Sequence, residues 1–132
     1  MWLVLEFAMN DTKKTVLVVE DDPSWSSLVQ MMLEKENYHV IVLSDGRQAL
    51  ETVKNTPVDL ILLDLVMPGM DGQTFAYELE KLGKSNIPVI VVTNLTTVSH
   101  QDFITEIVKK GDTSIEDIAA KIKKHLEPKA TH

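Results

Sequence analysis

The chain has 132 residues, 44% of them apolar and 25% charged, with a formal net charge of −7 and no cysteine. That is the length and composition of one ordinary globular domain. The negative charge disfavours nucleic-acid phosphates, and the missing thiols exclude disulfides, thiolate metal sites and cysteine catalysis together.

The first eight residues, Met1-Trp2-Leu3-Val4-Leu5-Glu6-Phe7-Ala8, are apolar but lack the basic start and small-residue cleavage site of a secretory signal. No apolar run approaches the roughly 20 residues that span a bilayer, so no membrane partner is expected. Residues 1–13 are expected to form an extension. It is either a segment upstream of a domain that begins at Met9, or an extra strand or helical cap. Thr15–Val19 then reads as a buried strand, being short, apolar and rich in β-branched residues. Asp22 and Pro23 suit a helix start, and Trp25, Leu28, Val29, Met32 and Leu33 follow at helical spacing on one face.

Tyr38–Leu43 is the second strand. Asp45-Gly46 opens a helix with Ala49, Leu50 and Val53 inward, ending before Pro57. Leu60–Leu63 is the third strand. Asp71-Gly72 starts a helix carrying Phe75, Ala76, Leu79 and Leu82, with Gly83 at its C-terminal end. Val89–Val92 and a weaker Thr105–Val108 are the last strands. The final helix begins at a capping signal, either Thr113 with Glu116 or Ser114 with Asp117. Ile115, Ile118, Ala119, Ile122 and Leu126 give it an apolar stripe, and Lys121, Lys123 and Lys124 lie where the helix dipole favours cations. Strands alternating with helices imply β-α-β units and a mostly parallel sheet covered on both faces. One domain over residues 14–127 is expected, with a tail at residues 128–132 and no room for a second, output domain.

Two of these strands end in acids. Asp64 follows Leu60-Ile61-Leu62-Leu63 and precedes the turn-forming segment Val66-Met67-Pro68-Gly69-Met70-Asp71-Gly72, and Glu20-Asp21-Asp22 ends the first strand. Parallel strands bring their C-terminal ends to one edge, where open α/β sheets bind ligands. Carboxylates converging there must bind a cation, hold a proton or repel one another. Hard oxygen donors without cysteine favour Mg²⁺ or Mn²⁺ over Zn²⁺. Thr93 and Lys109 end two further strands, and a hydroxyl and an ammonium suit phosphoryl oxygens. Taken singly, Asp64, Asp22 and Thr93 are ordinary caps and Lys109 an ordinary surface charge. Their occurrence at four strand ends is what points to a site.

With these residues, and with Val18-Val19-Glu20-Asp21-Asp22-Pro23 and the Asp64–Gly72 segment, the chain resembles the receiver domains of two-component response regulators from about Thr15 to Leu126. The resemblance implies a flavodoxin-like, doubly wound five-stranded parallel sheet in the order 2-1-3-4-5. It makes Asp64 the phosphoacceptor and Asp21 a direct metal ligand, with Glu20 acting partly through water and Val66 offering its backbone carbonyl. Thr93 becomes the hydroxyl that moves onto the phosphoryl group and Lys109 the cation that pairs with it. Asp22 is an additional acid without an assigned role. The implied cofactor is Mg²⁺ or Mn²⁺. The implied donor is a phosphohistidine on a sensor histidine kinase or phosphotransfer protein, and a downstream protein effector is the reader. Such a protein is a cytoplasmic signalling phosphoacceptor rather than an enzyme, with no direct nucleic-acid binding.

Three departures from the family pattern carry expectations of their own. Sixteen positions separate Thr93 from Lys109, several fewer than usual, and the stretch Leu95–Phe103 is polar and a poor helix former. The family's fourth helix is therefore expected to be short or missing. Glu106 stands where the family has an aromatic switch residue, and Phe103 is near but not aligned with it. Lys110 stands where a proline usually follows the lysine, so a trans peptide is expected between Lys109 and Lys110. These departures leave a second reading open: a degenerate receiver acting as a phosphorylation-independent protein-interaction module, with contacts through the first or last helix and Trp25 as a candidate contact. A nucleotide or flavin binder would want a Gly- or Ser/Thr-rich loop where the first acids stand. An aspartyl phosphatase would need a second Asp at position 66, where the chain has Val66.

Overall fold

The computed structural model describes residues 13–66, 70–95 and 101–127. Expectations for the N-terminal extension before Lys13, for Met67-Pro68-Gly69 and for the tail after Glu127 lie outside the described residues. Five strands form one parallel sheet: β1 (Thr15–Val19), β2 (His39–Leu43), β3 (Leu60–Asp64), β4 (Val89–Thr93) and β5 (Glu106–Lys109). Their order is β2-β1-β3-β4-β5, the doubly wound arrangement expected. Four helices are described: α1 (Pro23–Lys35), α2 (Gly46–Asn55), α3 (Gly72–Lys81) and α4 (Ile115–Leu126). Among the described residues no helix lies between β4 and β5, as expected of a short or missing helix there, and residues 96–100, on which part of that expectation falls, lie outside the described residues.

The central strands are apolar along their whole length because both faces are covered. On one face Val16, Val18, Leu60, Leu62, Ile90 and Val92 pack with Val29 and Leu33 of α1 and with Ile118, Ile122 and Leu126 of α4. On the other, Leu17, Val19, Ile61, Leu63, Val89 and Val91 pack with Ala49 and Val53 of α2 and with Phe75 and Leu79 of α3. The alternation along each strand divides the core into these two layers. One inward assignment fails: Leu28 is 54% exposed, and Ser26 joins Val29 and Leu33 among the buried residues of α1. Ser26 is buried where Leu28 is not, and its hydroxyl is satisfied within its own turn by donating to the Pro23 carbonyl at 3.4 Å.

Each helix starts at a side-chain cap. Asp22, Asp45, Asp71 and Ser114 all accept hydrogen bonds from N–H groups of the following turn. At α4 the second capping alternative is the one formed: Ser114 Oγ accepts from Asp117 N at 3.0 Å. Gly83 ends α3 with φ +71°, and Asn37 does the same after α1 with φ +74°. The connection into β5 is tied down by Thr105, whose N donates to the Val89 carbonyl (2.8 Å) while its hydroxyl accepts from Val89 N (3.0 Å). Phe103 enters the second core layer beside Gly72, where a Cβ would stand 3.2 Å from its ring. The peptide between Lys109 and Lys110 is trans.

Candidate functional site

The parallel register sets the geometry. Val19 pairs with Leu63, Asp64 with Val92 and Thr93 with Lys109, so four strands end along one edge of the sheet. Glu20, one residue beyond β1, is held there by its N–H to the Leu43 carbonyl at 2.9 Å. Asp64 is the last residue of β3. Single carboxylate oxygens of Glu20, Asp21 and Asp64 lie within 4.8 Å of one another. Glu20 is almost fully enclosed, Asp64 nearly so, and Asp21 faces solvent. The expected convergence of acids is therefore present, without Asp22. That residue caps α1, its Oδ1 accepting from Ser24 N at 3.1 Å and Trp25 N at 3.4 Å.

Local hydrogen bonds aim the acids. Glu20 Oε2 accepts from Asp22 N at 3.0 Å, and Asp64 Oδ1 accepts from Val66 N at 3.0 Å. Burial pushes the Glu20 carboxyl above its ordinary value and the nearby Asp64 charge adds to the rise, while hydrogen bonds from Lys110 and Asp22 N oppose it. Thr93 is fully buried, with its hydroxyl oxygen accepting from Leu95 N at 3.1 Å.

The cation at this edge is Lys110, not Lys109. Lys110 Nζ donates to Glu20 Oε1 and lies 3.8 Å from Asp64 Oδ2, with only 10% of its side chain exposed. Lys109, the last residue of β5, is exposed to solvent. The physical reason lies at the strand's end. The Lys110 N–H still bonds the Thr93 carbonyl at 2.9 Å, so the chain stays beside β4 for one more residue, and that residue's side chain folds over the edge towards the acids. Glu20 likewise reaches the site from one position past its strand.

With Lys110 in the lysine's place, the family's aromatic position three residues before it falls at the half-buried Ile107, so the expectation for Glu106 is corrected along with that for Lys109, and Glu106 has another role. It accepts from Lys121 Nζ at 2.5 Å and pairs with His125 Nε2 at 2.9 Å, which ties β5 to α4. Neither partner was singled out from sequence for this contact, although both lie in the last turns of the final helix.

Three oxygen donors converging without sulfur or imidazole form a set suited to a hard divalent cation, and their mutual repulsion favours such an ion. A cluster of this kind, with an ammonium beside it, can stabilise charge on a transferring phosphoryl group.

Residues 16–119 match the family model described as the response regulator receiver domain. The transcriptional regulatory protein BaeR of Escherichia coli O6:H1 is 39% identical over 88 residues, covering 67% of this chain and 36% of that protein. The DNA-binding response regulator MtrA of Mycolicibacterium smegmatis is 36% identical over 88 residues, covering 67% of this chain and 38% of that protein. The chain thus spans little more than a third of the length of these curated relatives. Among solved structures, the Thermotoga maritima response regulator TrrA, determined with Mg²⁺ and BeF, superposes with a TM-score of 0.74 at 29% identity, over 86% of this chain and 99% of that one. A Francisella receiver domain superposes at 0.77 over 87% of this chain and 98% of that one, and its 23% identity speaks to the fold alone.

Proposed function

The chain belongs to the response regulator receiver domains, and from that membership we propose that it is a signalling phosphoacceptor whose acceptor is Asp64. The observation that supports this most is the placing of Lys110 between Glu20 and Asp64 at the edge where three carboxylates meet.

In this reading an Asp64 oxygen attacks the phosphorus of a phosphohistidine on a sensor histidine kinase or phosphotransfer protein. The P–N bond breaks, its electron pair stays on the imidazole, and the product is an aspartyl phosphate. The Val66 N–H holds Asp64 Oδ1, so the carboxylate is already oriented, with Oδ2 on the side of Lys110. Lys110, rather than Lys109, takes charge from the phosphoryl oxygens, and the Thr93 hydroxyl donates to one of them. Asp21, Glu20, Asp64 and the Val66 carbonyl are the donors that fit Mg²⁺ or Mn²⁺. Such an ion, when bound, neutralises the acids and polarises the phosphoryl group. Leu28 and Met31, 54% and 60% exposed on α1, offer a partner apolar surface on the helix that starts beside the acids. The domain does not itself bind nucleic acid, since its charge of −7 repels phosphates.

A second reading is favoured by Glu106. Its bonds to Lys121 and His125 fix β5 to α4 by an ionic contact, as suits an interaction module that does not respond to phosphorylation. Mg²⁺-dependent labelling with a small phosphodonor separates the two. The wild type is expected to form a base-labile adduct that Asp64→Asn abolishes. No adduct in the folded wild type would leave only the interaction module.

A further inference from the structure

We propose that Trp25 is a positioning residue of the phosphoryl site, its indole face holding Lys110 beside Asp64 independently of Glu20. This rests on the reading of Asp64 as phosphoacceptor. Lys110 Nζ lies 4.7 Å from the centroid of the Trp25 ring, within the roughly 6 Å over which a ring face attracts an ammonium. Its charged neighbours are Glu20, which it hydrogen-bonds, and Asp64 at 3.8 Å.

The two restraints differ in kind. Glu20 is also a candidate metal ligand, so its oxygens are contested whenever a divalent ion is present. The ring is neutral and is not contested. A lysine on a flexible four-carbon stem, placed just past a strand at the sheet's edge, needs such a fixed wall to stay near Asp64. Trp25 is well placed to be that wall. It is half-buried against the core layer under α1, and its own backbone N–H bonds the Asp22 cap. Asp22 N in turn bonds Glu20, so Glu20, Asp22, Trp25 and Lys110 form a closed circuit of contacts. The circuit gives Asp22, the acid outside the metal cluster, a place in the site.

The test uses the full 132-residue chain with Trp25→Leu and Trp25→Phe. In ¹H–¹³C spectra, the Lys110 ε-methylene signal, assigned by its loss in Lys110→Arg, should be displaced upfield by the indole ring current. It should remain displaced in saturating MgCl₂ and return to the ordinary lysine position in Trp25→Leu. The initial rate of labelling by a small phosphodonor should fall about fivefold in Trp25→Leu and stay within about twofold in Trp25→Phe, whose ring still attracts an ammonium. A lysine signal at its ordinary position in the wild type, or one that returns there when MgCl₂ is added, would overturn the proposal. So would a wild-type rate in Trp25→Leu, or equal losses in both variants, which would mark plain packing. The spectroscopic arm needs no phosphodonor. A wild type that takes no phosphoryl group therefore refutes the phosphoacceptor reading while the contact is still judged on its own.

Discussion

Replacing Lys110 and Lys109 by methionine, one at a time, should give opposite outcomes. Lys110 bonds a Glu20 side chain that is 1% exposed and stands 3.8 Å from Asp64. At an effective dielectric of about 20, two unit charges at that distance attract by roughly 4 kcal/mol before desolvation is counted. Removing one partner of a buried ion pair costs about 3–5 kcal/mol in general. Here an escape route lowers the figure. Burial already holds the Glu20 carboxyl above its ordinary value, and losing the ammonium pushes it further the same way, which offsets part of the cost of the unpaired charge. Lys110→Met is therefore expected to lose about 2–3 kcal/mol at pH 7 without divalent cations, a fall of roughly 1–2 M in urea midpoint. Lys109→Met, at an exposed position, should stay within about 0.5 kcal/mol of wild type. The Lys110→Met deficit should shrink as pH falls, because a protonated Glu20 has no charge to be paired. Urea unfolding of both variants across pH 5–7 measures this. Equal midpoints, or a larger loss in Lys109→Met, would refute the placement of Lys110 at the acids.

Two further outcomes follow from contacts outside the acid cluster. Burial pushes the Glu106 carboxyl up, but hydrogen bonds from Lys121 and His125 and the charges of Lys121 and Lys124 outweigh it, leaving the group below its ordinary 4.5. A depressed carboxylate stabilises the fold above its unfolded value and loses that contribution as pH falls through the folded one. Glu106→Gln should thus cost about 1 kcal/mol or less at pH 7, since Lys121 is partly exposed, and converge with wild type in acid below that ordinary value; a gap independent of pH in urea titrations would contradict it. At the start of α4, Ser114→Ala should cost about 1 kcal/mol and Thr113→Ala little, because only Ser114 accepts the helix N–H; thermal unfolding that ranks them the other way would reverse the cap assignment.

What could be read from the sequence was what depends on local pattern. The strands centre on short apolar runs, weakest in β5, the turns carry Asp and Gly, and Asp64 and Glu20 stand at strand ends where parallel pairing must bring them together. That the described residues between β4 and β5 hold no helix was legible too, as a shortage of residues between Thr93 and the lysines. What escaped was finer than one residue of register. Two adjacent lysines give no pattern by which to choose between them, and the choice turned on how far the backbone stays bonded to β4. Leu28 escaped for a similar reason: helical spacing defines a stripe to within about 100°, and the buried edge of α1 was taken by Ser26. Trp25 left two readings open, packing or partner contact, and the ring lies over a lysine that was not itself singled out for the site.

The ion pair between Glu20 and Lys110 joins residues 90 positions apart. One end follows β1 and the other follows β5, an edge strand of the sheet. Every strand pairing in the sheet is parallel, so none can be closed by a tight hairpin, and loop-closure entropy must be met before the sheet is complete. Until β5 docks, Lys110 is not beside the acids that follow β1 and end β3. The ammonium beside Asp64 arrives only with β5, so a paired Lys110 marks a sheet in which all five described strands have joined.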